Sequence, residues 1–276
     1  MFQITTPRSR LSSAIYIAEL IYHNSVRSVR KSHGNAFMAI FMNMLQTVVF
    51  VMAFYVMFQI LGLRGTALRG DFMVYIMTGI FLYMTHSKTL GAVSGSEGPA
   101  SPMMQHAPMN TAIAIASAMV STLYIQLLSL FAVLFVYDVA FAPGVLKEIH
   151  DPIGGLAMIL LAWFSGAAIG MIVLAIKPWF PTPVGILSTV YQRANMIASG
   201  KMFVANTLPP YMLTMFDWNP LFHCIDQSRG YAFLDYNPRN SSWEYALYLS
   251  IVLIMIGLMG EFYTRKHASA SWGARR

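Results

Sequence analysis

One cysteine in 276 residues, Cys224, has no partner for an internal disulfide, so cross-links do not hold this chain together. Charge is also scarce: 11% of the residues are Asp, Glu, Lys or Arg, where soluble domains carry about a quarter. No phosphate-binding loop is present. The nearest candidate, SGKM at 199–202, ends in methionine where a hydroxyl must reach Mg²⁺, and Asn195 stands where the first glycine belongs. Seven histidines are scattered without metal-ligand spacing, and no G-x-S-x-G elbow occurs. The chain is therefore expected to bind no cofactor itself and to be no enzyme. The polar, basic first ten residues lack the pattern of a cleavable signal peptide.

What is abundant is grease. Hydrophobic residues make up 57% of the chain and the mean hydropathy is +0.56, which indicates an all-α polytopic membrane protein. About 20 apolar residues are needed to cross the hydrocarbon core. Six stretches qualify: 36–61, 71–90, 111–137, 152–176, 184–205 and 245–263. They form a single transmembrane domain over 36–276, preceded by a tail and interface helix over 1–35. Cytoplasmic flanks collect Lys and Arg. With six spans, eleven such residues fall on the side of the termini, Lys88 and Lys177 among them in the loops, and five on the other. Both termini are expected in the cytoplasm.

Before the first span, Leu11, Ala14, Ile15, Ala18, Tyr22, Val26 and Val29 recur at helical spacing. Glu19, His23, Arg27 and Arg30 line the other side. This is an amphipathic helix suited to the cytoplasmic interface, either as a positive anchor or as a docking surface. In the cytoplasmic loop 91–110, prolines 99, 102 and 108 bracket a short piece, 101–106, that can form a helical turn. On the outer side, 207–244 is long and rich in proline and aromatics. Its two apolar pieces, 211–216 and 221–225, are too short to span and read as re-entrant or interfacial helices. His86, near the inner end of the second span, reads as an interfacial residue.

The stretch SGKMFVANTLPPYMLTMFDWNPLFHCIDQSRGYAF, 199–233, resembles the permease subunits of type 2 ABC exporters. The similarity is to the branch exporting capsular polysaccharide, O-antigen and teichoic acid. It is carried by Ser199, Gly200, Phe203, Leu208, Pro209, Pro210, Asn219, Pro220, Leu221, His223, Arg229 and Gly230. The six-span layout extends it loosely along the whole chain. Two features depart from the family: MMQHAPMN in the coupling loop, and Lys201 where an apolar residue is usual. The resemblance implies two copies of this chain around a pore, driven by two copies of a separate nucleotide-binding ATPase that supplies ATP and Mg²⁺. It assigns ATPase contact to Glu19, Arg27, Arg30, Glu97, Met103, Gln105 and His106, and makes the two short outer helices gates over the exit. In double-membrane bacteria, relatives work with a periplasmic co-polymerase and an outer-membrane channel. A bacterial inner-membrane location, membrane lipids as partners and no nucleic acid complete the expectation.

Span five is the polar one. Ionisable groups inside a span face water or a partner. Gln192, Asn195, Ser199 and Met202 fall on one broad helical face, with Arg193 on its flank. With Lys201 they suggest a wet path for a hydroxylated or anionic polymer, although Lys201 also suits simple snorkelling at the outer end. Phe203, Tyr211 and Trp218 suit stacking on sugar faces or an ordinary interfacial aromatic belt. Other readings stay open: a permease for lipid or drug, a membrane-embedded glycan-modifying enzyme, or a scaffold subunit.

Overall fold

The computed structural model describes residues 10–31, 35–62, 68–98 and 110–267. Met103, Gln105 and His106, with the 101–106 turn, lie outside them, as does the side chain of Arg30. The described residues form ten α-helices, one 3₁₀ turn and no strand: α1 (Arg10–Lys31), α2 (Ala36–Ile60), α3 (Phe72–Ser94), α4 (Thr111–Ala140), α5 (Val145–Glu148), α6 (Pro152–Ile176), α7 (Pro181–Ala198), the turn Ala205–Thr207, α8 (Pro210–Phe216), α9 (Pro220–Ala232) and α10 (Trp243–His267). Among these residues four helices are long and apolar enough to cross a membrane: Phe37–Ile60, Thr111–Ala140, Pro152–Ile176 and Trp243–His267.

Half of the ten helix starts are written locally. A free backbone N–H in the first turn wants a short side-chain acceptor. Asn35, Asp71, Asn110, Asp151 and Asn219 supply it for α2, α3, α4, α6 and α9. Pro152 and Pro220 follow two of these caps, at a position where proline loses no hydrogen bond. Arg265, Lys266 and His267 sit in the last turn of α10, where positive charge complements the helix dipole.

α3 is the central helix, packed most extensively on α6 and also on α4, α9 and α2. Its protein surroundings explain its mixed composition. A helix walled by protein need not be greasy, so α3 carries Thr85, His86, Lys88 and Thr89 and falls below the hydropathy of the four candidate spans. α6 lies between α3 and α10, and small residues let it approach both. Gly166 and Gly170, four apart, abut the α3 backbone at His86 and Leu90, a spacing that brings helices close. α1 lies along α4: Ser25 Oγ donates to the Ser117 carbonyl at 3.3 Å, and Ser117 Oγ donates to the Ile21 carbonyl at 3.2 Å. Leu11, Ile15 and Tyr22 are exposed, so most of the apolar stripe of α1 is left uncovered by the described residues.

Two segments differ from the sequence expectation. The stretch 184–205 is not one helix: α7 ends at Ala198, and Gly200 takes φ of 77°, which favours glycine and stops the helix. The stretch 221–225 is the start of a longer helix, the 13-residue α9. It is buried along most of its length, because tertiary partners satisfy its polar residues.

Candidate functional site

The polar turn after α7 is built into the molecule. Arg229, on α9, is 1% exposed. Its Nη1 donates to the carbonyls of Gly200 (2.9 Å) and Phe203 (2.5 Å), and its Nη2 donates to that of Lys201 (2.8 Å). The guanidinium lies 4.3 Å from the centre of the Tyr75 ring on α3. One residue thus satisfies three carbonyls of a non-helical turn, the accounting that buried backbone requires. The opposite end of α9 does the same. Asn219 Nδ2 donates to Asn195 Oδ1 at 2.6 Å and to the Ala198 carbonyl at 3.1 Å, where α7 ends.

Lys201 is the anomaly. It is 2% exposed, and its Nζ makes no hydrogen bond among the described residues. It sits instead in an aromatic box, 3.4 Å from the Tyr83 ring centre, 4.9 Å from Phe54 and 5.9 Å from Phe50. The interfacial placement does not hold within this chain: the ammonium is inside. Ring quadrupoles offset part of its lost hydration, but no carboxylate pairs with it. Only two ion pairs form among the described residues, Glu19 with His23 and Glu261 with Arg265. We predict that Lys201→Met leaves the fold standing and raises its stability by about 1–3 kcal/mol, because a lone buried charge is replaced by apolar volume. Thermal unfolding in detergent checks this. A lower melting temperature would mean that the cation has a partner beyond this chain.

No family model matches this chain, and no curated protein matches it. The residues and their geometry therefore carry the functional reading.

The expected polar path divides in two. Asn195, Ser199 and Lys201 turn inward against α9 and the aromatic box, with Phe203 half-buried beside them. Phe203 packs on Phe216 at 5.2 Å between ring centres. Gln192 is half-buried and reaches only Ser188 (3.3 Å), and Arg193 faces out. Around Arg193 the outer face of α7 shows Ile186, Leu187, Val190 and Ile197, all exposed among the described residues. Tyr211 and Trp218 are exposed on the short segment of α8 and its following turn. No continuous exposed polar stripe forms on α7: Asn195 accepts from Asn219 at the start of α9, and Ser199 is buried beside it.

At the other end, Arg27 on α1 and Glu97 beyond α3 line one polar cavity of about 200 Å³, together with Asn24, Ser28 and Ser96. Glu19 stays on the exposed face of α1, 3.6 Å from His23. The structure thus brings Arg27 and Glu97 together and leaves Glu19 apart.

Sequence reading missed three polar clusters. His86 is fully buried rather than interfacial, with Nδ1 at 2.9 Å from Ser165 Oγ and Nε2 at 3.2 Å from Tyr191 Oη. Asp226 accepts from Tyr236 Oη and, at 2.7 Å, from Ser241 Oγ. Burial and the neighbouring carboxylate hold the Tyr236 phenol well above its usual range. In the same cluster as Asp226, His223 Nε2 meets the Asp217 carbonyl (2.6 Å), and its Nδ1 accepts from the Ser242 N–H (3.0 Å). Those two partners fix the neutral Nε2–H tautomer, and burial lowers its pKa accordingly. The third cluster, around Asn43 and Lys88, is taken up below. A shared signal existed for all three: polar residues standing inside or beside apolar runs.

Proposed function

We propose that the chain is the membrane-spanning subunit of an ATP-driven exporter moving a lipid-linked cell-surface polysaccharide across a bacterial cytoplasmic membrane. In this reading α2, α3, α4, α6, α7 and α10 are six spans, and both termini lie in the cytoplasm. Two copies of the chain work with two copies of a nucleotide-binding ATPase. The observation that carries the reading is the clamp of α9 on the turn after α7. Gly200 and Phe203, in one half of the exporter-like motif, accept from Arg229 of its other half, while Asn219 of that half holds the Ala198 carbonyl next to Ser199. α8 and α9 then form the outer gate. The outer face of α7, exposed among the described residues and apolar with Arg193 upon it, suits a second copy across a pore. Arg27 and Glu97 at one cavity suit a coupling surface for the ATPase.

A second cargo is favoured by one feature. An apolar cavity of about 430 Å³ lies between α3, α4, α6 and α9, lined by Met77, Phe81, Leu134, Ile153 and Leu156. A side recess of that kind fits a permease for lipid or drug.

Purification of the tagged chain from its own host in mild detergent tests the class. A phosphate-loop ATPase at equal stoichiometry is the expected companion. Its reproducible absence from the folded, intact chain would sink the exporter reading and favour an enzyme or a scaffold.

A further inference from the structure

Three helices bring amides, hydroxyls and a lysine around one cavity of about 380 Å³. Asn43 and Gln46 come from α2, Lys88 from α3, and Ser121, Thr122 and Gln126 from α4, with Ser28 of α1 on the wall. Lys88 belongs to this interior arrangement and not to a loop. Its Nζ donates to Asn43 Oδ1 and, at 2.7 Å, to Gln46 Oε1. Asn43 Nδ2 donates to Ser129 Oγ at 2.7 Å, and Gln126 Nε2 donates to Asn43 Oδ1 at 3.1 Å. These bonds orient both amides. Gln126 is 2% exposed, and its Oε1 has no hydrogen-bond partner.

Two demands are therefore left open. An ammonium carries three donors and two are used here, so one remains for a ligand. No carboxylate lines the cavity among the described residues. Lys88 is half-buried; dipoles of two amides offset a partly desolvated cation only in part, and an anion completes the compensation. The orphaned Gln126 Oε1 asks for the opposite, a hydrogen-bond donor. A simple anion meets the first demand and a neutral sugar the second. A phosphate ester with a neighbouring hydroxyl meets both. The space is also far larger than one water occupies, about 30 Å³. A polar approach exists, since this cavity shares Ser28 and Ala92 with the smaller one lined by Arg27 and Ser96.

We propose that this cavity binds a hydroxylated phosphate ester, with Lys88 holding the phosphate and Gln126 accepting from the hydroxyl. The ester is either a soluble glycosyl phosphate or a lipid headgroup of the same chemistry. The full chain in neutral detergent, titrated calorimetrically with glucose 1-phosphate, inorganic phosphate and glucose, tests the first source. Native mass spectrometry in nanodiscs of phosphatidylglycerol against phosphatidylcholine tests the second. Glucose 1-phosphate or phosphatidylglycerol is expected to bind preferentially in a Lys88-dependent way, and whichever does so identifies the source. Lys88→Met is expected to weaken binding roughly 10- to 100-fold, the range of a charge-assisted hydrogen bond. Lys88→Arg should retain it. Gln126→Leu should remove the preference of glucose 1-phosphate over inorganic phosphate while phosphate itself still binds, and it decides the matter if Lys88→Met fails to fold. No binding to either source, or binding unchanged in a folded Lys88→Met, overturns the site. Binding is read without transport, so a negative result leaves the export reading standing.

Discussion

Arg229→Met is expected to lower stability by about 3–5 kcal/mol, the range seen when one side of a buried polar arrangement is removed. Methionine fills much of the space but donates nothing, so three carbonyls at Gly200, Lys201 and Phe203 lose their partner at once. Their turn is not helical, and among the described residues only the Gly200 carbonyl keeps a donor within it, the Phe203 N–H at 3.4 Å. A buried acceptor left unpaired costs about 1–3 kcal/mol by itself, and the guanidinium also leaves the Tyr75 face. Lysine should rescue little: it is a point charge, whereas three carbonyls in different directions need the fork of a guanidinium. For a chain of this size each kcal/mol moves the melting temperature by about 2–4 °C, so a fall on the order of 10 °C is anticipated in detergent. A shift of 2 °C or less would mean that α9 does not hold the turn. Lys201→Met, in the same turn, has the opposite expected sign. The sign follows from whether backbone oxygens meet the cation, as they do at Arg229 and not at the Lys201 ammonium.

That contrast also explains how far the sequence could be read. Helix starts were legible, because short polar caps stand immediately before long apolar runs at Asn35, Asp71, Asn110 and Asp151. The stretch 152–176 coincides with α6, the most apolar helix. The break of α7 at Gly200 was present as a helix-stop signal, but apolar residues beyond it carried the hydropathy window onward. α9 was cut short at residue 225 because Asp226, Gln227, Ser228 and Arg229 look like a solvated end. Their burial depends on Tyr236, Ser241 and the 200–203 turn, partners that no local pattern contains. The same limit applied to His86, Lys88 and Lys201. Each was read by its depth in an apolar run, while its role is set by side chains on other helices. Gly166 and Gly170 were visible as a small-residue spacing, but the backbone they touch was not.

That close approach supports the last expectation: of the α6 glycines, Gly166 is the one whose added methyl would meet backbone atoms most closely, so Gly166→Ala is strongly damaging. A Cβ there would stand 2.3 Å from the His86 carbonyl oxygen and 3.0 Å from its carbonyl carbon and Cα. These are backbone atoms of a helix and cannot rotate away. α3 and α6 would have to separate along one of the two most extensive contacts in the fold, taking the His86–Ser165 hydrogen bond with them. Overpacking of this kind costs about 1–3 kcal/mol, and more where nothing yields. Gly155, on the same helix, is the control. A Cβ there meets nothing within 4 Å, and replacing a helical glycine with alanine gains about 0.5–1 kcal/mol. Gly155→Ala should hold or raise the melting temperature while Gly166→Ala lowers it, with Gly170→Ala also lowering it through Val93 and the Leu90 carbonyl. Equal shifts at 155 and 166 would show that α3 and α6 do not pack backbone to backbone. In that case α3 would not be the shielded interior helix that its polar residues require.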